Sequence, residues 1–156
     1  MIDGTKWFAL FAVLSTAVIY GTDVLCAMVQ RRALDRVDDQ VLVTVTGNVH
    51  RYGDRRMPVP GALGLIAAAV SAVLAALSGR WLEATAPAIA VALLLAWLVL
   101  YLRVSAPINR QLTAAADRRE APLNARVLQR NWDRVITLRA ALQGLAVAAL
   151  SLTLVI

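Results

Sequence analysis

The sequence predicts an all-α fold, an integral membrane four-helix bundle, N-out/C-out, with amphipathic cytoplasmic helical extensions. Three observations carry that reading. Of the 156 residues 60% are hydrophobic, too large a share for a soluble domain of this length. The apolar residues fall into blocks of about 20, the number a helix needs to cross roughly 30 Å of hydrocarbon. The arginines gather in two of the three connections between those blocks. In lipid the backbone must satisfy its own hydrogen bonds, which a helix does and an open strand does not. A single domain over 1–156 follows, with spans at about 7–29, 58–78, 84–104 and 137–156.

Span one carries one charge, Asp23, between Trp7 and Val29, and starts behind Lys6 with an indole at interfacial depth. It is expected to run on into the cytoplasm as a helix. Leu34, Val37, Val41, Val45, Val49 and Tyr52 recur at spacings of three and four and would form one apolar stripe. The β-branched run over 41–46 leaves a strand as the alternative, and length favours the helix. Gly53 and the Met-Pro-Val-Pro segment end this element, and Pro58 or Pro60 opens span two. Span two is alanine-rich (Ala67, Ala68, Ala69, Ala72, Ala75, Ala76), which lets helix backbones approach closely. A tight hairpin over 78–87 joins it to the bulkier span three, which ends at Tyr101 and Arg103. Pro107 is expected to interrupt the chain before a short helical piece with Ile108 and Leu112. Pro122 suits the first turn of the last helix, about 35 residues and roughly 50 Å long. Its first half would project from the membrane with Leu128, Trp132, Val135, Arg139 and Leu142 on one face.

The formal charge of +6 comes from 15 Arg and one Lys against ten acids. Six arginines lie between spans one and two and seven from Arg103 at the end of span three to Arg134 ahead of span four, whereas the hairpin has only Arg80. Because Lys and Arg concentrate on the cytoplasmic side, both long connections are placed inside and both termini outside. That placement argues for orientation and anionic headgroup attraction, and against nucleic acid as a partner. The Arg-over-Lys bias with abundant Ala and Val fits GC-rich bacterial coding, hence a multi-pass protein of a bacterial cytoplasmic membrane. Cys26 is alone, so no intramolecular disulfide forms. Leu25 ahead of it does not suit a lipoprotein anchor, and the first span is too long for a cleaved signal. No glycine-rich phosphate loop, nucleophile elbow or cysteine pair is present, which argues against ATP-driven work, acyl transfer and thiol redox chemistry.

An ionisable residue inside a span is costly and ordinarily faces a partner in the bundle. Asp23 lies about six residues from the cytoplasmic end of span one, and Arg139 lies at about the same depth in span four. Matching depth and opposite sign predict an ion pair. Tyr20 and Thr16 sit one and two turns before Asp23 on the same face, and Gln143 lies one turn beyond Arg139, so a polar pocket is expected in the cytoplasmic half. The pair reads equally as interhelical glue. His50, the single histidine, is the one side chain whose ordinary pKa suits proton transfer near neutrality. No ligand spacing supports a metal site, and a haem held by His50 alone is compatible with the sequence.

The segment Ala-Pro-Ile-Asn-Arg-Gln-Leu after span three and Asn-Trp-Asp-Arg-Val-Ile-Thr-Leu-Arg into span four resemble the anthrone-oxygenase-like family of small four-helix membrane proteins. The matching positions are Pro107, Asn109, Leu112, Trp132 and Arg139, with Gly21 and Asn48 similar in context. Family members often carry a histidine between the Trp and the Arg; this chain has Thr137 in that stretch. The resemblance implies oxidation of an activated aromatic carbon by dioxygen, on polyketide-derived substrates and without a conventional cofactor. Such chemistry needs a base, for which His50 or Asp23 would serve, and His50 first. It needs a cation for the enolate, Arg139 helped by Asn109. Trp132 would stack on a flat substrate, and Tyr20, Gln143 and Arg103 complete the expected substrate-binding set. The partners expected are the lipid bilayer and an apolar small molecule, and a homo-oligomer is compatible with the sequence. The rival reading is a non-enzymatic membrane scaffold or accessory subunit that binds a protein partner or anionic lipid. A channel is disfavoured by the absence of an evident inverted repeat.

Overall fold

The computed structural model describes residues 3–156, and every regular element among them is helical. The helices are α1 (Gly4–Leu34), α2 (Asp39–Arg56), α3 (Pro58–Leu77), α4 (Trp81–Arg118) and α5 (Ala125–Val155). Of these, α1, α3, α4 and α5 are long and apolar enough to cross a membrane, so the chain is a multi-pass membrane protein. Met57 alone separates α2 from α3, and the joint stays helical: Met57 N–H donates to the Gly53 carbonyl (2.8 Å) and Gly61 N–H to that of Met57 (3.1 Å). The bundle therefore has four long rods, one of them α2 followed by α3.

One end of the bundle gathers the two termini and the α3–α4 turn. Lys6 Nζ donates to the Leu154 carbonyl (3.5 Å), and Arg80 pairs with Asp3 and with Glu83 (2.8 Å). Asp3 also caps α1 by accepting from Lys6 N–H, and Gly79 takes the positive φ (72°) that the turn needs. The opposite end carries the long connections. There Arg126 donates to the Leu34 carbonyl (2.9 Å), to that of Val37 and to Asp39 (2.6 Å), and Arg51 pairs with Asp117.

The interior changes character between these ends. Near the termini it is built from Ala9, Ala12, Ala67, Ala68, Ala90 and Ala146, while Phe8, Phe11, Leu14, Ile66, Leu95 and Leu145 face outward. Small residues inside and large apolar ones outside suit helices that pack in lipid, where contact rather than water exclusion holds them. Gly64 marks the closest approach: a Cβ there would lie 2.6 Å from Thr16 Oγ1. Toward the other end Leu34, Leu42, Ile108, Leu112, Trp132 and Ile136 form a core of large side chains.

Four local expectations are corrected. The first helix does not run on through Tyr52; it stops at Leu34, and Asp38 caps a new helix by accepting from Val41 N–H (2.8 Å). The stripe of Val41, Val45, Val49 and Tyr52 is exposed, and the opposite face with Leu42, Val43, Thr46, Gly47 and His50 is buried. Gly47 decides this, because a Cβ there would lie 2.4 Å from Ala116 Cβ and 2.6 Å from the Leu112 carbonyl oxygen. Only the glycine face lets α2 come this close to α4. Pro107 does not interrupt α4, because a π turn over Tyr101–Ser105 precedes it, with Ala106 N–H donating to the Tyr101 carbonyl. The wider turn re-registers the helix so that the missing proline N–H is accommodated. Finally, α5 has 31 residues, and Pro122 lies ahead of it with its carbonyl accepting from Ala125 N–H (2.9 Å).

Gly47→Ala should push α2 away from α4 and destabilise the protein by about 1–3 kcal/mol. Gly53→Ala, where a Cβ meets nothing within 4 Å, should instead be neutral or stabilise by up to ~1 kcal/mol. Unfolding midpoints in detergent distinguish the two.

Candidate functional site

Where the alanine interior gives way to the large-residue core, the helices enclose a cavity of about 440 Å³ with mostly apolar walls, a size ordinary for small-molecule sites. All five helices contribute to it. Both π turns border it, Cys26–Gln30 in α1 through its two end residues and Tyr101–Ser105 in α4 through Tyr101 and Leu102. Such turns recur at functional sites because they re-aim side chains without ending a helix.

Arg139 organises the polar side of the cavity. Its guanidinium donates to Asp23 Oδ1 (2.8 Å) and to Ser105 Oγ (2.7 Å), with both charged side chains almost fully buried. The ring centroids of Trp97, Tyr101 and Trp132 surround it at 5.5, 5.6 and 5.6 Å, so the cation faces three aromatic rings. Asp23 accepts further bonds from Trp97 Nε1 (3.0 Å) and Gln143 Nε2 (3.5 Å). With both its oxygens engaged, Asp23 anchors Arg139.

A second cluster adjoins the first. Asp54 Oδ1 accepts from Tyr101 Oη (2.9 Å) and from Asn109 Nδ2 (2.9 Å), which fixes the amide orientation and leaves Asn109 Oδ1 turned elsewhere. Asn109 thus presents an acceptor at the cavity, not the donor to an oxyanion expected of it. His50, 7% exposed, packs against Trp132 with ring centroids 5.5 Å apart. Burial lowers its pKa to about 4; the charge of Arg139 works in the same direction and that of Asp54 opposes it. The imidazole is neutral at physiological pH.

Five buried polar atoms on these walls have no protein partner: Thr16 Oγ1, His50 Nε2, Asn109 Oδ1, Trp132 Nε1 and Arg139 Nε. An unpaired buried polar atom costs about 1–3 kcal/mol, so several around one cavity mark a place suited to a polar ligand group. Two are fixed donors, two are acceptors or switchable, and the imidazole nitrogen takes either role.

Of the residues singled out in the sequence, His50, Asp23, Arg139, Asn109, Trp132 and Gln143 meet at this cavity. Tyr20 does not line it; its ring packs on α5 at Gly144, where a Cβ would come within 3.0 Å of Tyr20 Cε2. Arg103 is exposed on the outer side of the π turn. Asp54, Trp97, Tyr101 and Ser105 were not anticipated. The signal existed: Trp97, Tyr101, Ser105 and Asn109 recur at a strict spacing of four, and Asp54 follows His50 by four. A strict four-residue stripe drifts on a 3.6-residue helix, and the π turn absorbs that drift. Among the described residues no group of three His, Cys, Asp or Glu side chains is arranged to hold a metal ion. No protein-family model, curated protein or solved structure matches the chain.

Breaking the buried pair on one side, by Arg139→Leu, should cost about 3–5 kcal/mol, whereas Asp23→Leu combined with Arg139→Leu should cost clearly less because no charge is stranded. Unfolding yield and midpoint in detergent read this out. A pH effect follows from His50. Its folded-state pKa lies below the ordinary 6.5, so its stabilising contribution is complete above pH 6.5 and is lost as pH falls toward 4. Wild type should lose roughly 3 kcal/mol relative to His50→Gln across that window, measured as the pH dependence of the two unfolding midpoints.

Proposed function

We propose that this protein is a membrane-embedded oxygenase of the anthrone-oxygenase type, acting with dioxygen on an apolar aromatic, polyketide-like substrate. The observation that carries the reading is the set of unpartnered polar atoms around one largely apolar cavity, with a neutral imidazole and an aromatic-caged guanidinium on its walls. The charge asymmetry supports an arginine-rich end in the cytoplasm with both termini outside, and the Arg-over-Lys bias supports a bacterial inner membrane.

The chemistry requires each part. A flat ring fits between aromatic walls, with its carbonyl oxygen near Arg139 Nε–H and Trp132 Nε1–H. His50 Nε2 removes the proton from the activated ring CH₂, and the developing enolate is held by those two donors. Dioxygen, soluble in the apolar cavity, adds to the carbanionic carbon to give a peroxide anion. The imidazolium returns its proton to that anion. Loss of water from the hydroperoxide leaves a carbonyl where the CH₂ stood, so one dioxygen yields one ketone oxygen and one water. An imidazole of low pKa is a weak base for free substrate. Beside a forming anion its proton affinity rises, which couples proton transfer to charge development in the transition state. Asp23 and Ser105 serve as positioning residues that hold Arg139.

His50→Ala should abolish oxygen uptake on an anthrone while the variant remains folded, a fall of at least 100-fold. His50→Gln should not restore it. Oxygen-electrode assays on the reconstituted protein decide between this reading and its rival: no uptake by wild type, or unchanged uptake in His50→Ala, would overturn the base assignment and favour a membrane scaffold.

A further inference from the structure

The cavity is long and chemically graded along its length. On α1 its wall runs from Thr16 to Gln30, and on α4 from Leu94 to Asn109, about 20 Å in each case at 1.5 Å per residue. A compact ring system fills only part of that length. The unpartnered atoms of His50, Asn109, Trp132 and Arg139 occupy one end. The other is walled by Ile19, Leu65 and Leu94, with the Thr16 hydroxyl the single unpartnered polar atom there. Because α1 and α3 run antiparallel and Gly64 meets Thr16, Gly61 lies level with Ile19, where the apolar part begins.

The cavity also reaches the protein surface sideways. Thr22, Val49, Pro58, Ala62 and Leu102 line it and are exposed. Pro58 and Ala62 flank the joint of α2 and α3, where the apolar spans give way to the arginine-bearing half. The opening is thus at the depth where lipid headgroups meet acyl chains, with the apolar end of the cavity pointing toward the membrane interior.

We propose that the ligand of this site is a membrane-resident amphiphile with a single apolar tail, taken up sideways from the lipid at the α2–α3 joint. Its head is an acidic phenol or enol held by Arg139, Trp132 and His50, and its tail lies along Ile19, Leu65 and Leu94. This rests on the reading of the head site given above and extends it to the substrate's class. Gly61 is the control point, since a Cβ there meets no atom within 4 Å and bulk can be added without moving the backbone.

The test uses Trp7→Phe/Trp81→Phe protein, which keeps Trp97 and Trp132 as cavity reporters; Trp7 and Trp81 are exposed and line no part of it. Quenching by a hydroxynaphthoquinone and by its undecyl derivative is titrated in vesicles, with each ligand expressed as its concentration in the membrane. The tailed ligand should bind at least 10-fold more tightly on that scale. Gly61→Phe should remove the difference and leave the tailless parent unchanged. Equal affinities in the parent protein, or an equal loss of both ligands in Gly61→Phe, would overturn the tail site. Saturable binding of the tailed quinone by a protein that shows no oxygen uptake on an anthrone would sink the oxygenase reading and leave the amphiphile site standing. Absence of saturable quenching by either ligand would remove both.

Discussion

The ion pair of Asp23 and Arg139 is the constraint around which the rest of the structure is arranged. Two opposite charges inside a largely apolar bundle are tolerated when they are paired with each other and hydrogen-bonded to neighbouring helices. Asp23 meets that demand from α1 with donors on α4 and α5, and Arg139 meets it from α5 with acceptors on α1 and α4. One interaction therefore fixes the mutual depth and rotation of three of the four spans. A slip of any of these three by a single residue would strand a charge. Register in lipid, where the helix surfaces are otherwise uniformly apolar, is set at this point.

The two packing regimes meet at the same level. Toward the termini, alanines and glycines bring backbones together, and Gly64 leaves no room for a Cβ against Thr16. Toward the other end, leucines, isoleucines and Trp132 fill a wider interior, stapled outside by Arg126 and Arg51. Helices tightly apposed at one end and spaced by large side chains at the other must diverge between. The cavity occupies that divergence, and the two π turns and the Met57 joint lie beside it, where each rod adjusts its course. Its position is thus a consequence of how the sequence distributes side-chain size along the helices.

That distribution also explains what the sequence made legible. Spans declare themselves through uninterrupted apolar runs, and Asp23 and Arg139 stand out because each is the lone charge in its run. The faces of α2 were less legible. Its valines form a regular stripe, yet the buried side is chosen by Gly47, whose close approach to Leu112 and Ala116 outweighs the larger apolar area opposite. Sequence periodicity reports area and is blind to distance of approach. Pro107 misled for a related reason, since a π turn one step earlier cannot be read from composition. Tyr20 was placed on the Asp23 face by a three-residue spacing, but Thr16 and Ile19 take the cavity side and its ring goes to Gly144. Asp54 escaped notice because it sits among arginines, where a carboxylate reads as surface charge. In the fold its partners are Tyr101 and Asn109.

The distinction between glue and a working site turns on which polar atoms are left over. A pair retained solely to hold helices would gain from closing every remaining bond, since each open one carries a penalty in a medium without water. Around Arg139 the chain closes many: Ser105, Asp23, Trp97 and Gln143 are all engaged. It leaves open Arg139 Nε, Trp132 Nε1 and His50 Nε2, and these belong to residues that touch one another through ring contacts. Replacing Trp132 by phenylalanine or His50 by leucine would remove two of those penalties without loss of apolar contact. A fold that keeps them places most of its buried unmet hydrogen bonding around one cavity. That is the arrangement expected where binding energy is held in reserve for a ligand.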